Sequence, residues 1–374
     1  MSALAEIFRR YGPAYREKFG ERMPASHRAA MTAIEQCRTE ALGGQVSTCP
    51  ICATTCYHYH SCRNRHCPTC QQDQAQTWLA KQHELLLPVP YFLVTFTLPA
   101  QLRSVTRQNQ RKLYSLLFRS SATALQQLAA DPRFLGGQIG MVGVLQTWTR
   151  DLRYHPHIHY LVPAGALASD GSRWLAAKGQ FLVHVKPLAA LFRGKVRAGL
   201  RQLKLEKEVA SATWSKPWVV DCRAVGNGQA ALKYLAPYIF RIALSNNRIV
   251  RVVNDQVTFR YRDGDTKKTR TCTLPAEQFI GRFLQHVLPK GFVKVRSFGL
   301  FRSGNRLLLA KVREMLATTG VACPVASIAA GTEETAGAAN AQPSLHCPAC
   351  GAVMQVTRIP RTTSRSPPAQ IQKE

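Results

Sequence analysis

Acidic residues are scarce in this chain: 21 Asp and Glu stand against 50 Lys and Arg in 374 residues, a formal net charge of +29. An excess of that size makes a polyanion the expected partner, with nucleic acid first and an anionic membrane surface second. The sequence also lacks any run of about 18 apolar residues, and it has no leader with a basic start, an apolar centre and a small-residue cleavage site. Membrane insertion and export are therefore not expected, and a cytoplasmic, DNA-associated protein is. Cysteine is plentiful, at 12 residues, yet in a reducing compartment few disulfides would form. Six of the cysteines lie between 49 and 70 and two more at 347 and 350, a clustering that favours metal.

Positions 49–70 have neither a helical nor a strand period and are dominated by Cys, His and Arg, as in a segment folded around metal. Cys49-x-x-Cys52 and Cys67-x-x-Cys70 are separated by 14 residues, close to the spacing of four-cysteine zinc sites, so these four are the expected Zn2+ ligands. Cys56, Cys62, His58, His60 and His66 are spare ligands that leave a different quartet or a second zinc open. Cys347-x-x-Cys350 is half a site, with Cys323, His346 or another subunit as candidate partners.

The rest of the chain alternates strand and helix patterns, giving an α+β class with a central antiparallel sheet flanked by helices. Helical spacing fills 1–48, and a helix is expected over about 71–87. Strands are expected at 91–97, 139–148, 157–162, 181–185 and 218–223, and long helices at about 105–130 and 188–205. Further on, strands 248–253 and 256–262 meet at Asn254-Asp255 as a hairpin, followed by a helix 275–288, a strand 292–301 and a helix 305–316. Residues 325–346 read as a flexible linker and the last 20 as disordered. The expected divisions are 1–87, 88–245, 246–320 and 321–374.

Within this frame the chemistry concentrates at His155-Pro156-His157-Ile158-His159. On a strand His157 and His159 project to one face while Ile158 and Tyr160 fall to the other, so two imidazoles form a clamp for a divalent ion. Gln146, on the strand expected to pair with the histidines, is the candidate third ligand; Asp151 and His155 are rivals, and Pro156 argues against a regular strand reaching His155. Mg2+ or Mn2+ held there would polarise a phosphate. Tyr234 and Tyr238, four apart, are candidate nucleophiles, with Lys233 as a helper in removing the phenolic proton. Pro237 between them predicts a kink and hence unequal roles, Tyr234 acting first.

His157-Ile158-His159, the strand ending Thr95-Phe96-Thr97-Leu98-Pro99, and the Tyr234/Tyr238 pair together resemble the two-tyrosine HUH (histidine-hydrophobe-histidine) transposases of rolling-circle insertion sequences, the insertion sequence 91 type. Ile7-Phe8-Arg9-Arg10-Tyr11-Gly12-Pro13, the cluster from Ser61 to Cys70, and Ser245-Asn246-Asn247-Arg248-Ile249 extend the likeness along most of the chain in the same order. The resemblance implies an HUH nuclease palm behind a zinc-binding module. It also implies cleavage of single-stranded DNA at element ends and target to a 5′-phosphotyrosine and a free 3′-hydroxyl, with the second tyrosine serving strand transfer. A replication-initiation or relaxase nuclease, or a non-enzymatic zinc-ribbon protein, is the alternative. Arg248, Arg251, Arg260, Arg262, Lys267 and Lys268, interleaved with Phe259 and Tyr261, are the expected DNA-binding surface, the aromatics stacking bases.

Overall fold

The amino-terminal helical spacing is realised as α1 (Ala3–Phe19) and α2 (Ala25–Gln36) in a computed structural model that describes residues 2–70, 79–80, 82–179, 181–230, 232, 244–264, 266–318 and 345–361. The Ser2 hydroxyl caps α1 by accepting the Ala5 amide, and Leu4, Ile7 and Phe8 bury one face against Ala30, Met31 and Ile34 of α2. Gly43, at a φ of 64° and with the Ile359 carbonyl 2.6 Å from where a Cβ would sit, ends the helical part. Strand β1 (Gly44–Thr48) then pairs with β2 (Thr55–Tyr59), so the aperiodic cysteine segment contains a strand. Most of the helix expected over 71–87 lies outside the described residues.

Next come β3 (Pro90–Thr97), the short α3 (Arg103–Gln108) and the long α4 (Gln110–Ala130), which stops at Asp131-Pro132 as expected. A two-residue β4 (Gly137–Gln138) leads into β5 (Gly140–Trp148) and β6 (Tyr154–Pro163), an antiparallel hairpin; β7 (Gly165–Ala168) and β8 (Trp174–Ala176) form a small sheet with β4 that the sequence did not announce. The strand expected at 181–185 is absent: Leu182 and Val183 are buried as loop residues, and α5 (Val185–Gln202) starts three residues early because Pro187 presets helical φ in its first turn. Strand β9 spans Val220–Asn227, two residues later than expected at its start and four longer at its end.

The remaining strands are β10 (Ile249–Val253), β11 (Gln256–Arg262) and the unforeseen β12 (Thr269–Pro275), then α6 (Ala276–Leu284), β13 (Val295–Gly299), α7 (Arg306–Thr318) and β14 (Gln355–Ile359). Asn254 and Asp255 both take positive φ, 49° and 57°, the geometry a two-residue hairpin turn demands. The disorder expected after Gly351 is corrected over 355–359, where β14 pairs with β1. Strand β13, from the segment after 245, joins the central sheet beside β5.

The central sheet runs β13-β5-β6-β3-β9, antiparallel throughout. Alternation divides it cleanly. Phe92, Val94 and Phe96 of β3, Met141 and Leu145 of β5, and Ile158, Tyr160 and Val162 of β6 bury one face beneath α4 and α5. Gly143 is required on that face, since the Tyr160 ring lies 2.4 Å from where its Cβ would stand. Tyr160 itself is anchored by hydrogen bonds with Ser121 Oγ at 2.8 Å and to the Phe118 carbonyl at 3.2 Å. On the other face Tyr91, Leu93, Val142 and Leu161 pack against Leu309, Val312 and Leu316 of α7, which covers only part of the sheet. A second core joins α1, α2, the β10-β11-β12 sheet and α6, and Trp148 and Leu152 of the β5-β6 hairpin reach into it.

Candidate metal centre and nucleic-acid interface

On the sheet face opposite α4 and α5, antiparallel register sets Gln146 and Thr97 on either side of His157, and Val144 and Thr95 on either side of His159. Opposed residues in such pairs share a face, so the polar groups converge. The two imidazoles lie 4.8 Å apart between ring centroids, and His157, His159 and Gln146 are 8%, 8% and 7% exposed. Burial, and for His157 the neighbouring His159, lowers their pKa values to about 3 and about 4, so both rings are neutral near pH 7 as metal ligation requires.

The second shell fixes which nitrogens face the site. His157 donates from Nδ1 to the His155 carbonyl at 2.7 Å, which assigns the lone pair to Nε2; His159 Nδ1 meets Thr95 Oγ1 at 2.9 Å. Gln146 donates from Nε2 to the Trp148 carbonyl at 3.3 Å, and its buried Oε1 has no hydrogen-bond partner among the described residues. An unpaired buried amide oxygen on the strand beside two neutral imidazoles fits a divalent cation. The two rivals are otherwise engaged. Arg103 donates to His155 Nδ1 at 2.8 Å, placing that ring's proton on Nε2, while Asp151 accepts from Thr149 and pairs with Arg153 at 2.7 Å. Strand β6 does extend to Tyr154 despite Pro156, because a register shift between Gln146 and Trp148 absorbs the irregularity.

Arg103, Asp221 and Arg223 were missed by the sequence reading, and Thr95, noted there only within the motif at 95–99, gains a role through its contact with His159. Asp221 opposes Thr95 and Arg223 opposes Leu93, so this pair, 3.7 Å apart, faces the histidine side. Their signal was the period of two in β9, where Val220 and Cys222 point to the helices. Lys233, Tyr234 and Tyr238 lie outside the described residues. Leu232, just before them in sequence, is buried with Leu93 and Leu161 on the histidine face.

The expected zinc quartet is not brought together. Cys67 and Cys70 stand with Cys37 and Cys62, whereas Cys49 and Cys52 stand with Cys347 and Cys350; among the described residues these are the two clusters with metal-ligand spacing. The cause is the β1-β2 hairpin: Cys49 and Cys52 occupy its tip, and strands of five residues carry them roughly 16 Å from the base where Cys62, Cys67 and Cys70 follow. In the first cluster Cys70 Sγ lies 3.3 Å from Cys37 and 3.6 Å from Cys62. A tetrahedral Zn2+ with bonds near 2.3 Å needs sulfurs about 3.8 Å apart, so the quartet fits a structural zinc after a small expansion. Hydrogen bonds from the thiols of Cys62 and then Cys67 already favour the Cys37 thiolate and lower its pKa. His66, a spare ligand by sequence, instead accepts the Leu288 amide at 3.2 Å, and Arg65 donates to the Phe292 and Pro289 carbonyls, tying this segment to the loop after α6, whose Leu288 and Phe292 are buried in the core beneath α4 and α5.

The basic residues lie on and beside the β10-β11-β12 sheet. Arg251, Arg260 and Arg262 are exposed on one face with Thr258, Thr269, Thr271 and Thr273 across from them. Phe259 and Tyr261 point the other way: Phe259 is fully buried against Phe279 and Tyr261 packs on the same core. The expected base-stacking interleave is therefore corrected, since alternation sends the aromatics inward. Arg248 donates to the Arg260 and Arg150 carbonyls, joining this sheet to the β5-β6 turn; Lys267 and Lys268 lie on its exposed loop.

No helix among the described residues is long and apolar enough to cross a membrane. Residues 140–306 match a family described as "Putative transposase", and residues 7–98 match a transposase zinc-binding domain of the insertion sequence 91 type. The chain is 39% identical over 346 residues to "Putative transposase y4qJ" of Sinorhizobium fredii, covering 87% of this chain and 86% of that one. It is 29% identical over 306 residues to the transposase for insertion sequence element IS801 of Pseudomonas savastanoi pv. phaseolicola, covering 76% and 73%. A solved conjugative relaxase, TrwC in complex with OriT DNA, aligns with 62% of this chain and 72% of its own at 12% identity and a TM-score of 0.23, a likeness too slight to carry an argument. With both family matches falling on the histidine hairpin and the cysteine module, and a relative of 39% identity along nearly its whole length, the chain belongs to the insertion sequence 91 family and is a transposase.

Proposed function

We propose that this transposase nicks and rejoins single-stranded DNA at the ends of its element and at the target, through 5′-phosphotyrosine intermediates formed by Tyr234 and Tyr238 on the HUH face of the palm. The observation that carries the reading is the convergence of His157, His159 and the unpartnered Gln146 Oε1 on one buried sheet face. These three would hold a divalent ion, and Mg2+ or Mn2+ bound there would polarise the scissile phosphate.

The chain's own groups supply the rest. Thr95 and the His155 carbonyl orient the imidazoles through Nδ1. Arg223 adds positive charge beside a phosphate on that face, and Asp221 holds its guanidinium. In the cleavage step the tyrosine Oη forms a bond to phosphorus as the bond from phosphorus to the 3′ oxygen breaks. The phenolic proton passes to a base, with Lys233 the candidate to stabilise the phenolate, and the leaving 3′ oxygen takes up a proton. Arg251, Arg260 and Arg262 would bind the strand through its phosphates, without base stacking by Phe259 or Tyr261.

His157→Ala and His159→Ala should each abolish Mg2+- or Mn2+-dependent nicking of labelled single strands while binding measured by filter retention changes less than about threefold, because the basic surface supplies affinity. Nicking at the wild-type rate in either variant would refute the assignment of the histidine face.

A further inference from the structure

We propose that Cys49, Cys52, Cys347 and Cys350 bind a second structural Zn2+ as four thiolates, closing a zinc ribbon from two segments far apart in sequence. The family matches end at residues 98 and 306, so neither reaches the second half of this site.

Three independent features converge. The first is an internal repeat: Cys49-Pro50-Ile51-Cys52-Ala53-Thr54 and Cys347-Pro348-Ala349-Cys350-Gly351-Ala352 share the pattern Cys-Pro-x-Cys followed by two small residues. The second is that both copies fold into the same turn. In each, the amide four residues after the first cysteine donates to its carbonyl, at 3.1 Å from Ala53 and 2.9 Å from Gly351. The cysteine amide in turn donates to the carbonyl five residues on, at 2.9 Å to Thr54 and 2.8 Å to Ala352. Ala53 and Gly351 also take the same left-handed conformation, with φ of 56° and 76°. Alanine adopts it at a cost, and the turn aims both cysteines of each pair to one side.

The third feature is how the two turns meet. Cys49 Sγ lies 3.4 Å from Cys350 Sγ and Cys52 Sγ lies 3.5 Å from Cys347 Sγ, although Cys52 and Cys347 are 295 positions apart in sequence. These separations are far beyond a disulfide bond of about 2.05 Å. They are close to the roughly 3.8 Å between sulfurs around zinc. The surroundings favour a metal, because among the described residues this cluster buries only Cys49, Cys347 and Met354, with Cys56 and Ala352 partly buried, little apolar surface to hold two segments together. The backbone is already in place: β14 pairs with β1 from Gly44↔Ile359 to Thr48↔Gln355, giving the three-stranded order β14-β1-β2. On loading, each thiol gives its proton to solvent and four zinc–sulfur bonds form, with no change of oxidation state.

Metal content of the purified full-length chain tests this without reference to nuclease activity. Elemental analysis should find one equivalent of zinc fewer in the double variant Cys347→Ser, Cys350→Ser than in wild type. Cys350→His should keep the equivalent, because it retains a ligand at an exposed position. When the protein is loaded with Co2+, Cys350→His should shift the visible d–d bands to shorter wavelength, the signature of one sulfur replaced by nitrogen, whereas Cys350→Ala should lose one cobalt equivalent. Unchanged zinc in the double variant, or identical cobalt spectra for wild type and Cys350→His, would overturn the proposal.

Discussion

Replacing Gln146 by Leu should leave the metal-free protein at least as stable as wild type and reduce the stabilisation that metal confers. In the metal-free protein the Oε1 atom is buried with no hydrogen-bond partner among the described residues, and an unsatisfied group of that kind costs about 1–3 kcal/mol. The single bond it offsets, from Nε2 to the Trp148 carbonyl at 3.3 Å, is long and contributes about 0.5–1 kcal/mol. Leucine fills nearly the same volume without the orphaned oxygen. Metal-free Gln146→Leu should therefore match wild type or exceed it by up to about 2 kcal/mol, although most buried substitutions destabilise. With Mn2+ at a hundred times the wild-type dissociation constant, ligand binding stabilises wild type by about 2.7 kcal/mol; a tenfold weaker site in the variant reduces this to about 1.4 kcal/mol. Urea unfolding followed by tryptophan fluorescence, in EDTA and in Mn2+, reads both quantities, with Trp148 two residues away as a local reporter. A loss of more than about 2 kcal/mol in EDTA, together with an undiminished Mn2+ effect, would refute the placement of Gln146 among the ligands.

Cys67→Ser should release zinc and unfold the amino-terminal module, since Cys67 belongs both to the cluster with Cys37, Cys62 and Cys70 that fits zinc and to the core shared with Phe259 and Phe283; circular dichroism and bound zinc should fall together. Arg260→Ala with Arg262→Ala should leave stability almost unchanged, because both side chains are exposed, and should lower the salt slope of single-strand binding by about 1.4 in log–log units. An unaltered slope would remove these residues from the interface. Gly143→Ala should destabilise by about 1–3 kcal/mol, because its methyl would meet the buried Tyr160 ring; Gly143→Ala in combination with Tyr160→Leu should recover part of the loss.

The parts of the fold that could be read from sequence were those written in local periodicity. Alternation along Tyr154–Pro163 was enough to place His157 and His159 on one face, because a strand's faces follow from its own residues, and the hairpin expected between 139–148 and 157–162 put Gln146 on the neighbouring strand, while its register opposite His157 came from the structure. The cysteine quartets could not be read in this way. Cys37 joins Cys62 across a folded hairpin, and Cys49 joins Cys350 across 301 residues, contacts that leave no trace in spacing. The same holds for β14, whose strand pairing depends on a distant partner. Phe259 and Tyr261 show a different limit: their alternation with arginine was visible, but which face met the core depended on α1 and α6 packing beneath the sheet. Helix boundaries shifted where one residue overrode the pattern, as Pro187 did at the start of α5.

Nicking by a tyrosine of this chain leaves a covalent bond from its Oη to a DNA 5′ phosphate, which a denaturing gel detects. Wild-type protein incubated with Mg2+ and a single-stranded element end labelled at its 3′ terminus should yield a band of slowed mobility that carries the label with the protein. The band should vanish with EDTA and in the double variant Tyr234→Phe, Tyr238→Phe. From the Pro237 argument, Tyr234→Phe alone should lose the first adduct, while Tyr238→Phe should keep it and lose strand transfer. An adduct of wild-type yield in the double variant, or label that remains with free DNA in wild type under conditions where nicking occurs, would contradict the account.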